Sequence, residues 1–281
     1  MARRPFVDDH FDDGTLDERW TRTCPGGGLL TVSDSALRME LAGVRTGTYS
    51  DAQIDDYDSL PPARFPWRPP LRMEARARAS HPAHPCDYSA AVGNSDDDEQ
   101  RYLRGTAGFG FWNYPFSLSG AVLRLPDAVW FFYASPPSNM ALVPGSPGSG
   151  WKAQVVHAHR GRALLAAPPT AATVLWARLT GRDAAAARWV RRLSGTSEAT
   201  LSADLADWHT YSIEWLPQVA RFSVDGALVL TVPDPPRGPL GFVAWVDNQY
   251  AVATPRGDFG FGTLASGSEW LDLDLLRIAL L

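Results

Sequence analysis

The chain has 281 residues and a formal net charge of −5; 45% of it is hydrophobic, 11% aromatic and 20% charged. This excludes a chain disordered throughout and leaves enough apolar material for one large core, so residues 1–281 are read as a single domain. The acidic balance excludes the concentrated basic face that nucleic acid requires as a partner.

The basic residues are arginines apart from Lys152, so a Schiff-base mechanism has one candidate, and that lysine lacks supporting context. The opening MARRPFVDDHFDD has no apolar run behind its basic residues, unlike a secretory signal, and no segment has the apolar length of a bilayer crossing. A cytoplasmic protein without a membrane partner is expected. Cys24 and Cys86 follow no metal-ligand spacing, and His157 and His159, which alternate on one strand face, have no third ligand nearby. There is no GxGxxG run, phosphate-cradling glycine loop or Ser/His/Asp elbow, so neither a metal nor a cofactor is expected. Oligomeric state leaves no mark on the sequence.

In chain order, GGGLLTVSDSALRMEL reads as two alternating strands joined at Ser33-Asp34-Ser35. TYSDAQIDDYD, Thr48 to Asp58, concentrates acids, and Asp51, Gln53 and Asp55 share one face if the segment is extended. PPARFPWRPP, Pro61 to Pro70, is too proline-rich for a central strand and reads as an extended loop carrying Phe65 and Trp67. LRMEARARAS, Leu71 to Ser80, has the period-two pattern of a half-buried strand. SDDDEQR, residues 95–101, reads as a solvated loop. TAGFGFWN and DAVWFFYAS have large residues on both faces and suit central strands. SPPSNM, Ser135 to Met140, follows as a rigid loop. Alanine-rich stretches predict a short helical insertion near 168–193. WHTYSIEWLP, VARFSVDGALVLTV and GPLGFVAWVDNQY complete about a dozen strands, with VDGA as a tight hairpin turn. The expected fold is all-β, a two-sheet antiparallel sandwich.

HTYSIEWLPQVARFSVDGALV, His209 to Val229, resembles a strand pair of the concanavalin A-like glucanases, especially family sixteen glycoside hydrolases such as laminarinases and lichenases. LRMEARARAS resembles another of their strands, AGFGFWN sits where they have a Trp-rich strand, and WLDLDLLRI resembles their closing strand. The resemblance implies a jelly roll with a ligand groove across one concave face. It also implies that the strand after the Trp-rich one carries a nucleophile, a helper acid and an acid/base. Here that strand is Asp127-Ala128-Val129-Trp130-Phe131-Phe132-Tyr133. Retaining glycoside hydrolysis uses two carboxyl groups about 5 to 5.5 Å apart, and aromatic side chains replace neither.

The candidates therefore lie elsewhere. Asp51, Asp55 and Asp247 are candidate acids and bases, because a carboxyl beside aromatic rings has its charged form desolvated. Tyr133 and Tyr250 are candidate donors to a developing oxyanion, and Gln53 and Asn248 candidate orienting groups. Trp67, Trp112, Trp130, Phe132 and Trp245 would supply the walls, with Asn113 beside them, and Gly108 and Gly110 would leave room for a ligand. Alternation does not say which face of each strand is concave. Three functions stay open: a non-hydrolytic acid/base enzyme of isomerase, cyclase or hydratase type acting on a small, largely apolar molecule; a glycan-binding or glycoside-hydrolase-like protein with relocated carboxylates; and an interaction module. The first is favoured over the second, and the expected partner is a small-molecule or glycan ligand.

Overall fold

A computed structural model describes residues 6–58, 60–61, 64–85, 101–113, 126–139, 147–157, 195–253 and 259–281. In chain order the strands are β1 (Phe6–Asp9), β2 (Thr21–Thr23), β3 (Gly28–Ser33), β4 (Ala36–Val44), β5 (Asp51–Asp55), β6 (Leu71–Ala79), β7 (Thr106–Trp112), β8 (Asp127–Ala134) and β9 (Gly150–His157). They continue as β10 (Ser197–Thr200), β11 (His209–Trp215), β12 (Val219–Val224), β13 (Ala227–Pro233), β14 (Gly241–Asp247), β15 (Gln249–Ala253), β16 (Phe259–Thr263) and β17 (Ser266–Leu280). The expected helical insertion, His159 and most of SDDDEQR fall outside the described residues.

The strands form two antiparallel sheets and a separate hairpin of β15 with β16. Sheet one is ordered β13-β12-β11-β6-β17-β4-β3, with β1 added along the C-terminal half of β17. Sheet two is ordered β10-β9-β8-β7-β14-β5-β2. The expected all-β sandwich is therefore the observed one.

Local chemistry explains the tight turns. The β3–β4 hairpin turns on Asp34 and Ser35, with φ of 52° and 56°, and the β12–β13 hairpin on Asp225 and Gly226, with φ of 49° and 79°. Two successive positive φ values give the turn whose twist matches paired strands, and Asp and Gly tolerate it. In β6 the burial alternates without a break, as its sequence predicts: Leu71, Met73, Ala75, Ala77 and Ala79 point inward. In β17 the register slips between Leu273 and Leu275, so Asp274 is extra. The bulge lets Leu271 and Leu273 before it, and Leu276 and Ile278 after it, all reach the core.

Aromatic residues of sheet two meet those of sheet one in the core between the sheets. Phe109 of β7 and Phe131 of β8 lie 5.3 and 5.0 Å from the Tyr211 ring of β11, and Phe131 meets Phe222 of β12 edge-on at 5.4 Å. Edge-to-face geometry suits the ring quadrupoles, and burial of each ring contributes several kcal/mol, about 3 to 5 if it is cut back to alanine. With Phe109 and Phe111 committed to the core, Gly108, Gly110 and Trp112 point to the other face of sheet two.

Candidate functional site

The outer face of sheet two follows from its strand registers. One row across β8, β7, β14 and β5 is Ala134, Thr106, Asp247 and Asp51. The next row, starting at β9, is Lys152, Phe132, Gly108, Trp245 and Gln53; the one after is Gln154, Trp130, Gly110, Val243 and Asp55. On β8 this face carries Ala128, Trp130, Phe132 and Ala134, and so no carboxylate; Asp127, at the start of the strand, falls on the alternate face.

Aromatic rings pave the centre. Trp130 stacks on Phe132 at 5.4 Å and 20°, lies 5.3 Å from Trp245 and 5.7 Å from Trp112, and Trp112 continues to Tyr57 at 6.3 Å. Trp112, Trp130 and Phe132 are half-buried and Trp245 is buried. The glycines do not open space for a ligand, as the sequence suggested. A Cβ on Gly108 would come within 2.9 Å of the Trp245 ring, and one on Gly110 within 2.6 Å of Trp130 Cα and Cβ. Their missing side chains let Trp245 and Trp130 lie down on β7.

Hydrogen bonds fix the indoles. Trp112 Nε1 donates to Tyr57 Oη (2.6 Å), Trp130 Nε1 to Gln154 Oε1 (2.9 Å), and Trp245 Nε1 to Thr106 Oγ1 (2.9 Å). Gln154 Nε2 donates in turn to Glu198 Oε2 (2.7 Å), and Lys152 Nζ pairs with Glu198 Oε1 at 3.0 Å, with side-chain exposures of only 4% for Lys152 and 1% for Glu198. Lys152 also donates to the Pro147 carbonyl. The chain's only lysine thus supports the aromatic floor from one side.

At the opposite side Asp51 and Asp247 are direct register partners on β5 and β14, 3% and 8% exposed. Directly opposed side chains in an antiparallel pair have Cβ atoms about 4.5 to 5.5 Å apart, so two acids confront each other. Asp247 Oδ1 accepts from Thr106 Oγ1 (2.8 Å) and the Gln249 amide (2.9 Å); Asp51 Oδ2 accepts from Tyr49 Oη (3.0 Å). Asp51 Oδ1 is buried without a hydrogen-bond partner. Burial pushes Asp247 up to about 6 despite those two donors, and burial together with the Asp247 charge holds Asp51 well above the usual carboxylate range. One proton shared unequally between two such acids is the low-charge state of the pair, with Asp51 as its main holder.

The structure brings Asp51, Asp55, Asp247, Gln53, Trp112, Trp130, Phe132 and Trp245 onto this face and places five expected site residues elsewhere. Tyr133 points into the core, fully buried, donating to the Leu103 carbonyl (2.6 Å) and accepting from the His84 amide (3.1 Å). Trp67 packs edge-on against Phe111 at 6.1 Å, and its Nε1 donates to Asp56 Oδ2 (2.5 Å). Asp55 lies on the face but serves a turn, accepting from the Tyr57 and Asp58 amides (3.1 and 2.8 Å) and from Gln53 Nε2 (3.1 Å). Asn248 is fully buried; its side chain accepts from the Ser50 amide and donates to the Thr48 and Leu264 carbonyls, so it staples three segments. Asn113 closes the β7–β8 pair through both the Asp127 amide and carbonyl. Tyr250 lies over Gly262 in the β15–β16 hairpin. The sequence reading missed Tyr49, Tyr57, Thr106, Gln154 and Glu198. Of these, Gln154 alternates with Lys152 in WKAQVV, a detectable signal; the others show only in the fold.

No group of three or more His, Cys, Asp or Glu side chains among the described residues is placed to hold a metal ion. His157 instead meets Asp127 at 3.0 Å. The SPPSNM loop is tied to β15, Asn139 N donating to the Ala251 carbonyl (2.9 Å).

No protein-family model and no curated protein matches the chain. Among solved structures it is similar to an endo-β-1,3-glucanase from Pyrococcus furiosus, at 12% identity and TM-score 0.52, over 97% of this chain and 92% of the other. It is also similar to a structure described under human gut-microbiota endo-acting O-glycanases that initiate mucin breakdown, at 12% and 0.52 over 98% of both chains. A GlcNAcα1-4Gal-releasing endo-β-galactosidase from Clostridium perfringens matches at 13% and 0.50, over 97% of this chain, which spans 61% of that one. At these identities the likeness is one of fold, a concanavalin A-like, glucanase-type jelly roll, as the sequence motifs implied.

Proposed function

We propose that the protein acts on a glycan across the outer face of sheet two, as a glycoside hydrolase or transglycosylase with its carboxylates relocated from β8 to β5 and β14. The single observation behind this reading is the facing pair Asp51 and Asp247, two buried acids at the end of an aromatic row. Glycosidic cleavage needs one carboxyl that holds a proton near neutral pH and one that does not. The raised Asp51, with Oδ1 unpartnered, supplies the acid; Asp247, held by Thr106 and Gln249, supplies the carboxylate. Sugar rings present flat C–H faces, which suit half-buried Trp112, Trp130 and Phe132. The similar structures carry names of glucanases and endo-glycosidases, which favours a glycan over the small apolar substrate expected from the sequence. Fold likeness by itself argues function weakly, so the carboxyl pair carries the reading.

The burial of both acids favours a second reading, a non-hydrolytic acid/base enzyme whose small substrate is enclosed. Incubation with laminarin, mixed-linkage glucan and mucin-type O-glycans, followed by chromatography of released or transferred oligosaccharides, separates the two. Products that vanish in Asp247→Asn support the glycan reading. An intact set of glycans, with no thermal stabilisation by any of them, overturns it.

A further inference from the structure

The two acids that face each other on β5 and β14 meet different kinds of hydrogen-bond partner. At Asp247 the partners form a chain: Trp245 Nε1 donates to Thr106 Oγ1 (2.9 Å), and Thr106 Oγ1 donates to Asp247 Oδ1 (2.8 Å). An indole N–H only donates, and a hydroxyl has a single hydrogen. With the indole on one side of its oxygen, Thr106 gives that hydrogen to Asp247. Turning it away, to accept a proton from Asp247 instead, would leave it buried and unbonded. The Gln249 amide donates to the same oxygen (2.9 Å) and cannot reverse either.

At Asp51 the direction is not fixed. Its Oδ2 meets Tyr49 Oη at 3.0 Å, and Tyr49 is 41% exposed. A phenol hydroxyl donates or accepts, so Asp51 keeps this hydrogen bond whether it is ionised or carries the proton on Oδ2. One acid is thus surrounded by donors that favour its charge, while the other tolerates both states.

The titratable groups around the pair are few among the described residues. Asp51 faces Asp247 from β5, with Tyr49 and Asp55 beside Asp51; Cys24, just after β2, lies near Asp51 and is itself beside Arg22. The neighbouring positions on β7, β8 and β15 are Thr106, Ala134 and Gln249, none of which titrates. The chain also reaches the aromatic floor, because the Trp245 ring lies 5.3 Å from Trp130 and 6.1 Å from Phe132.

We propose that Trp245 and Thr106 form a one-way hydrogen-bond relay that keeps Asp247 the ionised member of the pair and leaves the shared proton to Asp51. Thr106 is then a positioning residue, acting through Asp247, and Trp245 acts through Thr106. The inference rests on reading the pair as the acid and base of the site, and it supplies what sets the two roles apart.

The test follows the Asp247 carboxyl itself, by NMR of the full chain labelled with 13C at the aspartate carboxyls, from about pH 4 to pH 9. Its signal is the one lost in Asp247→Asn. Thr106→Val keeps the shape and removes the donor, and should raise the Asp247 midpoint by about one pH unit, a tenfold change in proton affinity. Thr106→Ser should restore it. Trp245→Phe should give a smaller rise, because a hydroxyl no longer polarised by the indole is a weaker donor, and no further rise in a chain that already carries Thr106→Val. An unmoved midpoint in Thr106→Val overturns the proposal. So does an equal effect of Trp245→Phe with and without the Thr106 hydroxyl, which would mean that the indole acts by burial alone. Should Thr106→Val not fold, a Trp245→Phe midpoint that fails to rise overturns it equally. These titrations need no substrate: a moved midpoint in a chain that cleaves no glycan keeps the relay and removes the glycan reading, and cleavage with an unmoved midpoint does the reverse.

Discussion

The two outer faces of the sandwich handle charge in opposite ways. On sheet one, Arg38 of β4 makes a bidentate pair with Asp272 of β17 at 2.8 and 2.9 Å, and Arg78 of β6 reaches the same carboxylate at 3.3 Å. Arg38 and Arg78 also lie over the Trp270 ring at 4.0 and 5.3 Å, and Arg76 and Arg78 over Trp208 at 4.9 and 4.8 Å. Cation, anion and ring alternate, and each aromatic face holds a guanidinium. On sheet two the rings stack on one another, and the acid beside them faces another acid. Charges matched within the chain, as on sheet one and at Lys152 and Glu198 on sheet two, are finished; the two acids that face each other without a cation retain reactivity that only a proton or a ligand relieves.

Substitutions on the two faces should therefore differ in kind. The largest effect expected is on turnover: Asp51→Asn and Asp247→Asn each keep shape and remove proton transfer, lowering glycan cleavage by about 10² to 10⁴, while Arg38→Ala leaves the rate unchanged. Steady-state rates on the best substrate measure this, and equal losses from both faces would erase the distinction. Next is Glu198→Gln, which leaves the buried Lys152 charge unpaired and should cost about 3 kcal/mol in denaturant unfolding.

The pH response is similar in size. Asp247 sits at about 6 when folded, against about 3.9 unfolded, so the folded chain binds more protons between those values. Stability should then fall as pH rises through that window, by about 2 to 3 kcal/mol from this group, with Asp51 extending the fall upward. Unfolding of Asp247→Asn at about pH 4 and pH 7 should show a shallower decline than the unsubstituted protein; an equal slope would mean that the pair is solvated. Asp272→Asn on sheet one should cost about 1 kcal/mol or less, because Arg38 is 37% exposed and its pairing is screened.

Much of this was legible in advance. Period-two alternation in LRMEARARAS, the Ser-Asp-Ser and VDGA turns and the glucanase-like motifs all point to the fold that is observed. Asp51 and Gln53 stood out because they alternate, and Asp247 because it ends an apolar strand. Their confrontation was not legible, since it depends on how β5 registers against β14, set by partners far apart in the chain. Tyr133 was misplaced because aromatic residues at 130–133 give β8 no amphipathic signal to separate its faces. Asp55 and Asn248 were misread for another reason: a polar side chain that satisfies nearby amides and carbonyls has the same composition as one that faces a ligand.

The burial of Lys152 makes the chain its own probe of local opening. With one lysine in the sequence, locked to Glu198 beneath the β9–β10 edge, an amine-reactive reagent has a single side-chain target, which it reaches only when that edge strand detaches. The rate of labelling at Lys152, followed by peptide mass, reads the frequency of that detachment directly. A ligand that presses on Trp130 should slow it through Gln154 without touching the lysine.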